Sequence, residues 1–423
     1  MIRIFLLALP FMAYSLINIG GKDVLLPYAT TGLLMFYFFM RKNDSKIYFP
    51  KEALLFILYI TYLIISLFFH AGIFAKSLTQ LVTIILHFFF YLLIVNILII
   101  QKSKGMLKIV NYFIFVCVIF SMYSSLQVLF QVNSILFAIF RNARAAFFIW
   151  EPGASSNLLI QGLSRVTGFA PEPANWAAFL TIPLSLLIPR LILKRRTKDL
   201  CMFLPIFMCF ILTYGRTGWL SLLFVILLFP VFFLTGNKRT GFSLIALGAI
   251  SIIFASVVLF GFGAGGDWSR KERAAGMFNG GRMFLSSPIF GVGLGKYEIN
   301  LENVAIAGLT GGTYGHMTYN YYLSVLAETG IIGLSLWLMF LCSFWNKLFA
   351  QYDQLTDNRD LKILCIGVLM AYLSILFSWL NVGGINFMYI WFVLALTNSM
   401  PVIIKRERRE LDGTIEKAAI ESR

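Results

Sequence analysis

Residues 78–132 read "LTQLVTIILHFFFYLLIVNILIIQKSKGMLKIVNYFIFVCVIFSMYSSLQVLFQV". Two apolar runs, 78–100 and 109–132, flank a short linker that carries Lys102, Lys104 and Lys108. Each run is long enough, as a helix, to cross a hydrocarbon core of about 30 Å. A lysine-rich linker between two such runs is a topology signal, because basic residues are retained on the cytoplasmic side. The same pattern recurs along the whole chain. Hydrophobic residues make up 59% of it and charged residues 13%, too little polar surface to cover a soluble globule. A transmembrane β-barrel is excluded, since its strands alternate apolar and polar residues over only about ten positions.

The expected fold is an all-α polytopic membrane protein of about 12 transmembrane helices. The predicted spans are 4–19, 24–40, 53–71, 78–100, 109–132, 176–193, 200–215, 217–235, 241–262, 318–345, 362–381 and 386–404. They form one transmembrane domain, 1–404, followed by a cytoplasmic basic tail, 405–423. The first run, "IFLLALPFMAYSLINIG", lacks a small-residue cleavage site and is read as a span. Placing the N-terminus inside puts most of the 35 Lys and Arg on the cytoplasmic side, together with the C-terminus. The net charge of +16 therefore reports topology and implies no nucleic acid. Cys117, Cys201, Cys209, Cys342 and Cys365 all fall in or at the ends of apolar runs, so neither a disulfide framework nor a metal site is implied.

On the outer side most turns are short, but two loops are long: 133–175 and 263–317. Long loops are often functional. These two carry basic residues against the topological bias: Arg141, Arg144 and Arg165 in the first, then Arg270, Lys271, Arg273, Arg282 and Lys296 in the second. Arg216 joins them at the tip of the hairpin "TYGRTGW". An anionic ligand at the outer leaflet accounts for such a set, because the guanidinium is a permanently charged fork that grips phosphate bidentately. The competing account is snorkelling to headgroups, or pairing with Glu151, Glu172, Asp267 and Glu272. Arg141, Arg144, Arg270 and Arg273 sit in stretches resembling short amphipathic interfacial helices, and the second account suits them. Arg216 and Arg282 suit the first.

Three further stretches bear on the site. In "SRVTGFAPEPANWAAFL" the two prolines stop a helix before the sixth span and Asn175 can cap that span, while Glu172 is an acid facing outward. "SSPIFGVGLGKYE" has glycines for tight turns but lacks the spacing of a nucleotide-binding loop. In "GHMTYNYYLSVLAETGIIGL" a helix starting near His316 would set Tyr319 and Asn320 on one face, with Glu328 below the outer interface. An acid at that depth is costly unless paired and marks a candidate site. His70 and His87 are read as packing residues. No Walker A, HExxH, GxSxG or paired-aspartate metal motif is present, and the inner linkers are too short for a catalytic domain. Chemistry is therefore expected at the outer face, on a membrane-borne activated donor and with no cofactor.

The ordered set "TYGRTGWLSLL", "SSPIFGVGLGKYE" and "YNYYLSVLAETGIIGL", spanning roughly 200–345, resembles the O-antigen polymerase and ligase superfamily. "RVTGFAPEPANWAAFL" is also similar to polysaccharide polymerases of this group. The resemblance implies metal-independent glycosyl transfer from an undecaprenyl-pyrophosphate-linked glycan donor to a carrier-linked acceptor. The reaction would take place at the periplasmic face of a bacterial inner membrane, with membrane lipids and a chain-length regulator as further partners. Arg216, Arg282 and Arg165 would hold the pyrophosphate. His316 or Glu328 would be the base, and Glu172, Tyr319 and Asn320 would shape the glycan site. Ligases of the group commonly carry a histidine before the asparagine of the last motif. Tyr319 stands there and His316 is displaced by three residues, which favours a polymerase over a ligase. A lipid-linked oligosaccharide transporter is the non-enzyme alternative.

Overall fold

The computed structural model describes the chain except residues 13–14, 20–21, 41–46, 70–73, 130–158, 161–162, 171, 234–266, 305–317, 353–357, 382–383 and 422–423. The predicted ninth span, His70, His316, Arg141, Arg144 and Glu151 lie outside the described residues. The helices are α1 (Ile2–Ala8), α2 (Leu26–Met40), α3 (Lys51–Phe69), α4 (Phe74–Leu129), α5 (Pro173–Lys194), α6 (Thr197–Leu212), α7 (Arg216–Leu228), α8 (Asp267–Ser286), α9 (Tyr297–Val304), α10 (Tyr321–Tyr352), α11 (Arg359–Ser378) and α12 (Met388–Glu421). Two small antiparallel hairpins, β1 (Ser15–Ile19) with β2 (Lys22–Leu25) and β3 (Leu159–Ile160) with β4 (Leu163–Ser164), are appended to this all-α bundle.

Among the described residues six helices are long and apolar enough to cross a membrane. One of them, α4, covers two predicted spans. Its 56 residues would reach about 84 Å as a single rod, far beyond a bilayer core. The helix is cut at Lys102 (φ 55°, ψ −170°), inside the lysine-rich linker, which divides it into two crossings. The first predicted span is corrected. Helix stops at Ala8 and the chain turns at Leu9–Pro10, because proline lacks the N–H that would extend it. Ser15–Ile19 of that run form β1, where Ile19 pairs with Lys22.

The centre of the bundle is set by sequence pattern. In α5, α11 and α12, 83%, 89% and 89% of the apolar window is buried, against 33% in α3. Helices apolar on every side belong inside. A cluster of large rings fills the space between them: Trp337 lies 5.8 Å from Trp379, and Phe56 lies 5.3 Å from Trp391. His87 stacks on Trp391 at 5.5 Å and its Nε2 meets the Tyr28 hydroxyl at 3.1 Å, a packing histidine as expected.

Charge pairs mark one end of the bundle. Lys194 meets Asp360 at 2.5 Å, Arg359 donates to the Leu193 carbonyl at 2.6 Å, and Lys102 meets Glu410 at 2.9 Å. These contacts gather the cut in α4 and the ends of α5, α11 and α12, all from linkers predicted to share a side. The candidate site lies at the other end.

Candidate functional site

Arg165 follows β4 directly, and the backbone beyond it runs against the end of α6, with the Val166 N–H donating to the Leu212 carbonyl at 3.1 Å. This aims the Arg165 side chain at the turn between α6 and α7. Its Nε donates to the Thr213 carbonyl at 3.0 Å and its Nη2 to the Tyr214 carbonyl at 3.1 Å. The last carbonyls of a helix have no partner within it, so a guanidinium that meets them closes the helix end. Tyr214 takes a left-handed conformation (φ 47°) and Gly215 precedes α7 as its N-cap. A Cβ on Gly215 would stand 2.5 Å from that of Ala177, so only glycine lets the turn sit on α5. Arg216 is thereby the first residue of α7, at the helix end whose free N–H groups attract anions.

Arg273, on α8, reaches the same place from the other side. Its guanidinium lies over the Tyr319 ring, 4.9 Å from the centroid, and its Nη1 donates to the Asn381 carbonyl at 3.3 Å. Its Nε is buried without a hydrogen-bond partner. Burial and the neighbouring Arg216 and Arg273 charges push the Arg165 guanidinium below its ordinary range, with Glu172 opposing them. Three guanidiniums and one carboxylate therefore share one field. Like charges are held together this way at a cost that an anion would remove.

Glu172 is exposed and serves as the N-cap residue of α5, with Pro173 at the first helical position. This corrects the expected cap: Asn175 is buried inside the first turn. The last motif is corrected as well. Helix begins at Tyr321, not near His316, so Tyr319 and Asn320 do not share a helix face. Asn320 caps α10, its Oδ1 accepting from the Leu323 N–H at 3.0 Å, and Tyr319 is left-handed (φ 53°). That conformation turns the Tyr319 ring towards α8.

Arg282 is exposed. It follows Arg273 by nine residues, about two and a half helical turns, which puts it on the opposite face of α8. Glu328 is 7% exposed. Its carboxylate accepts hydrogen bonds from the Gly295 and Tyr297 N–H groups and from the Gln80 side chain. Thus Arg165, Arg216, Arg273, Glu172 and Tyr319 come together, while Arg282 and Glu328 lie apart from them. Sequence reasoning undervalued Arg273. Its ring partner is 46 residues away, and no local pattern announces such a pair.

Residues 201–338 match the model of a family described as O-Antigen ligase, about a third of the chain. The match runs from α6 into α10 and takes in Arg216, Arg273, Arg282, Tyr319 and Glu328. It supports the resemblance to the O-antigen polymerase and ligase superfamily. No match to a curated protein is found.

Proposed function

We propose that this membrane protein is a polysaccharide polymerase. On this reading it transfers a growing glycan from undecaprenyl pyrophosphate to another carrier-linked repeat unit, at the periplasmic face of a bacterial inner membrane. The observation that carries the reading is the convergence of Arg165, Arg216 and Arg273 at one end of an apolar bundle. As the glycosidic carbon leaves the carrier, negative charge grows on the pyrophosphate. Fixed guanidiniums beside an α7 N-terminus stabilise that charge without reorganising, which is where electrostatic catalysis gains most. Arg165 is held by two carbonyls and Arg273 by a ring, and the bidentate grip is assigned to Arg216, at the N-terminus of α7. Arg282, exposed on α8, is assigned to the incoming carrier or its glycan. Glu172 and Asn320 shape the mouth.

A base takes the proton of the acceptor hydroxyl. Glu328 faces donors from three sides, which leaves this role to His316. The test is purified protein mixed with a lipid-linked repeat unit alone. A ladder of products supports polymerisation. Transfer only when lipid A–core is supplied makes the protein a ligase, the second reading, which the description of the matching family favours. No transfer to either acceptor overturns both.

A further inference from the structure

α10 is not one helix. At Gly330 the backbone takes φ 65° and ψ −169°, which ends the upper segment, Tyr321–Thr329, inside a membrane span. Helix carbonyls released there have neither water nor a next turn to bond, so other protein groups must satisfy them. The loop between α8 and α9 does so. The Val292 N–H donates to the Ala327 carbonyl at 2.9 Å and the Gly293 N–H to the Glu328 carbonyl at 3.0 Å. Below the cut, the Ile331 N–H donates to the Pro288 carbonyl at 2.9 Å. The approach is tight: a Cβ on Gly330 would stand 2.2 Å from the Ile289 carbonyl oxygen, and one on Gly291 2.4 Å from the Glu328 carbonyl carbon. The Tyr62 hydroxyl, on α3, donates to the Thr329 carbonyl at 2.6 Å. Tyr62 lies seven residues before the end of α3, about 10 Å along its axis, so the loop reaches that far down the helix.

The next donors along the same loop turn to the Glu328 side chain. The Gly295 and Tyr297 N–H groups both donate to its carboxylate, Gln80 adds a third hydrogen bond, and Lys76 lies near. Lys76 also pairs with Glu298 at 2.5 Å. The Tyr297 N–H is one of the first-turn donors of α9, so an anion belongs there. Tyr297 then reaches onward. Its hydroxyl donates to the Gly276 carbonyl of α8 at 3.0 Å, and Gly276 lies one helical turn after Arg273. Tyr297 thus joins Glu328, through its backbone N–H, to the part of α8 that carries Arg273, through its hydroxyl.

We infer that Glu328 is a positioning residue: its carboxylate latches residues 291–297 into the cut of α10 and, through Tyr297, sets where α8 holds Arg273. The inference rests on reading Arg273 as part of the anion site. A carboxylate committed to three donors is an acceptor and an anchor, and it does not approach an acceptor hydroxyl.

The experiment compares full-length protein with Glu328→Gln, Glu328→Ala and Tyr297→Phe, by hydrogen exchange and by chain growth across pH. The latch expects exchange over 291–304 to rise at least tenfold in both Glu328 variants, with 216–228 unchanged. It expects Tyr297→Phe, whose carboxylate latch is intact, to raise exchange around Gly276. In Glu328→Gln and Tyr297→Phe the KM for the lipid-pyrophosphate donor rises about tenfold and the pH profile keeps its shape. Unchanged exchange over 291–304 in Glu328→Gln overturns the latch, as does a pH profile that loses its lower limb. The exchange measurement needs no turnover, so it stands even where the polymerase reading fails. If Glu328→Ala does not accumulate, Gln80→Ala replaces it, with a smaller rise over the same residues expected.

Discussion

The Arg273 guanidinium rests on the face of Tyr319, 4.9 Å from the ring centroid, and thereby ties α8 to the residue that precedes the Asn320 cap of α10. A ring in this position holds the cation by its face. The left-handed Tyr319 backbone is what turns the ring to that side.

Removing the ring face tests the pair. A cation over an aromatic ring is worth about 0.5–2 kcal/mol. Tyr319→Ala is expected to slow chain growth by about tenfold, and Tyr319→Phe, which keeps the face, by less than about threefold. Ladder length on a gel, at matched membrane levels of protein, measures both.

Arg216→Ala is expected to abolish chain growth while the protein accumulates normally, because Arg165 meets the Thr213 and Tyr214 carbonyls of the turn. Arg216→Lys keeps the charge and loses the fork, so partial activity is expected. Arg282→Ala, on the far face of α8, should shorten the ladder less than Arg216→Ala does. Equal loss in the two alanine variants would show that the anion site extends round α8.

Arg165 carries a structural duty as well. Its two hydrogen bonds to the Thr213 and Tyr214 carbonyls are charge-assisted, a class worth about 1.5–3 kcal/mol each when both partners are held. Arg165→Ala is therefore expected to lower the thermal midpoint in detergent by several degrees, and Arg216→Ala to leave it in place. A normal midpoint for Arg165→Ala would mean the α6–α7 turn closes without it.

Gly330→Ala forces a side chain into a conformation that non-glycine residues avoid, and against the Ile289 carbonyl. Strain of about 1–3 kcal/mol is expected before the clash is counted. Protein yield and thermal midpoint should both fall, whereas Gly281→Ala, where an added Cβ meets nothing within 4 Å, should leave both unchanged.

The span pattern was legible because length and hydropathy alone decide it. Runs 176–193 and 362–381 became α5 and α11 with ends moved by a few residues. The first span failed where one residue outweighed a pattern: Pro10 stops the helix although the apolar run continues. Arg165 and Arg216 were readable as candidates because both fall in segments predicted to lie outside, against the charge bias. Arg273 belongs to the same set, but its neighbours in sequence look like a surface helix and its partners, Tyr319 and Asn381, are distant in the chain, so snorkelling or pairing is the reading it draws. Glu328 was readable as costly. What met it was not, because its donors are backbone N–H groups of a glycine-rich loop, and backbone donors have no residue signature.

The cut at Gly330 also decouples phase. In an unbroken helix, inserting one residue above Trp337 would rotate everything before it by about 100° relative to the ring cluster. Here the upper segment is held by the loop it receives and by Tyr321, whose N–H donates to the Trp379 carbonyl at 2.8 Å, and the lower segment is held by the packing of Trp337 on Trp379 and Phe340. A residue inserted in the loop between α8 and α9 can therefore be taken up at the cut, while Trp337 keeps its place against Trp379.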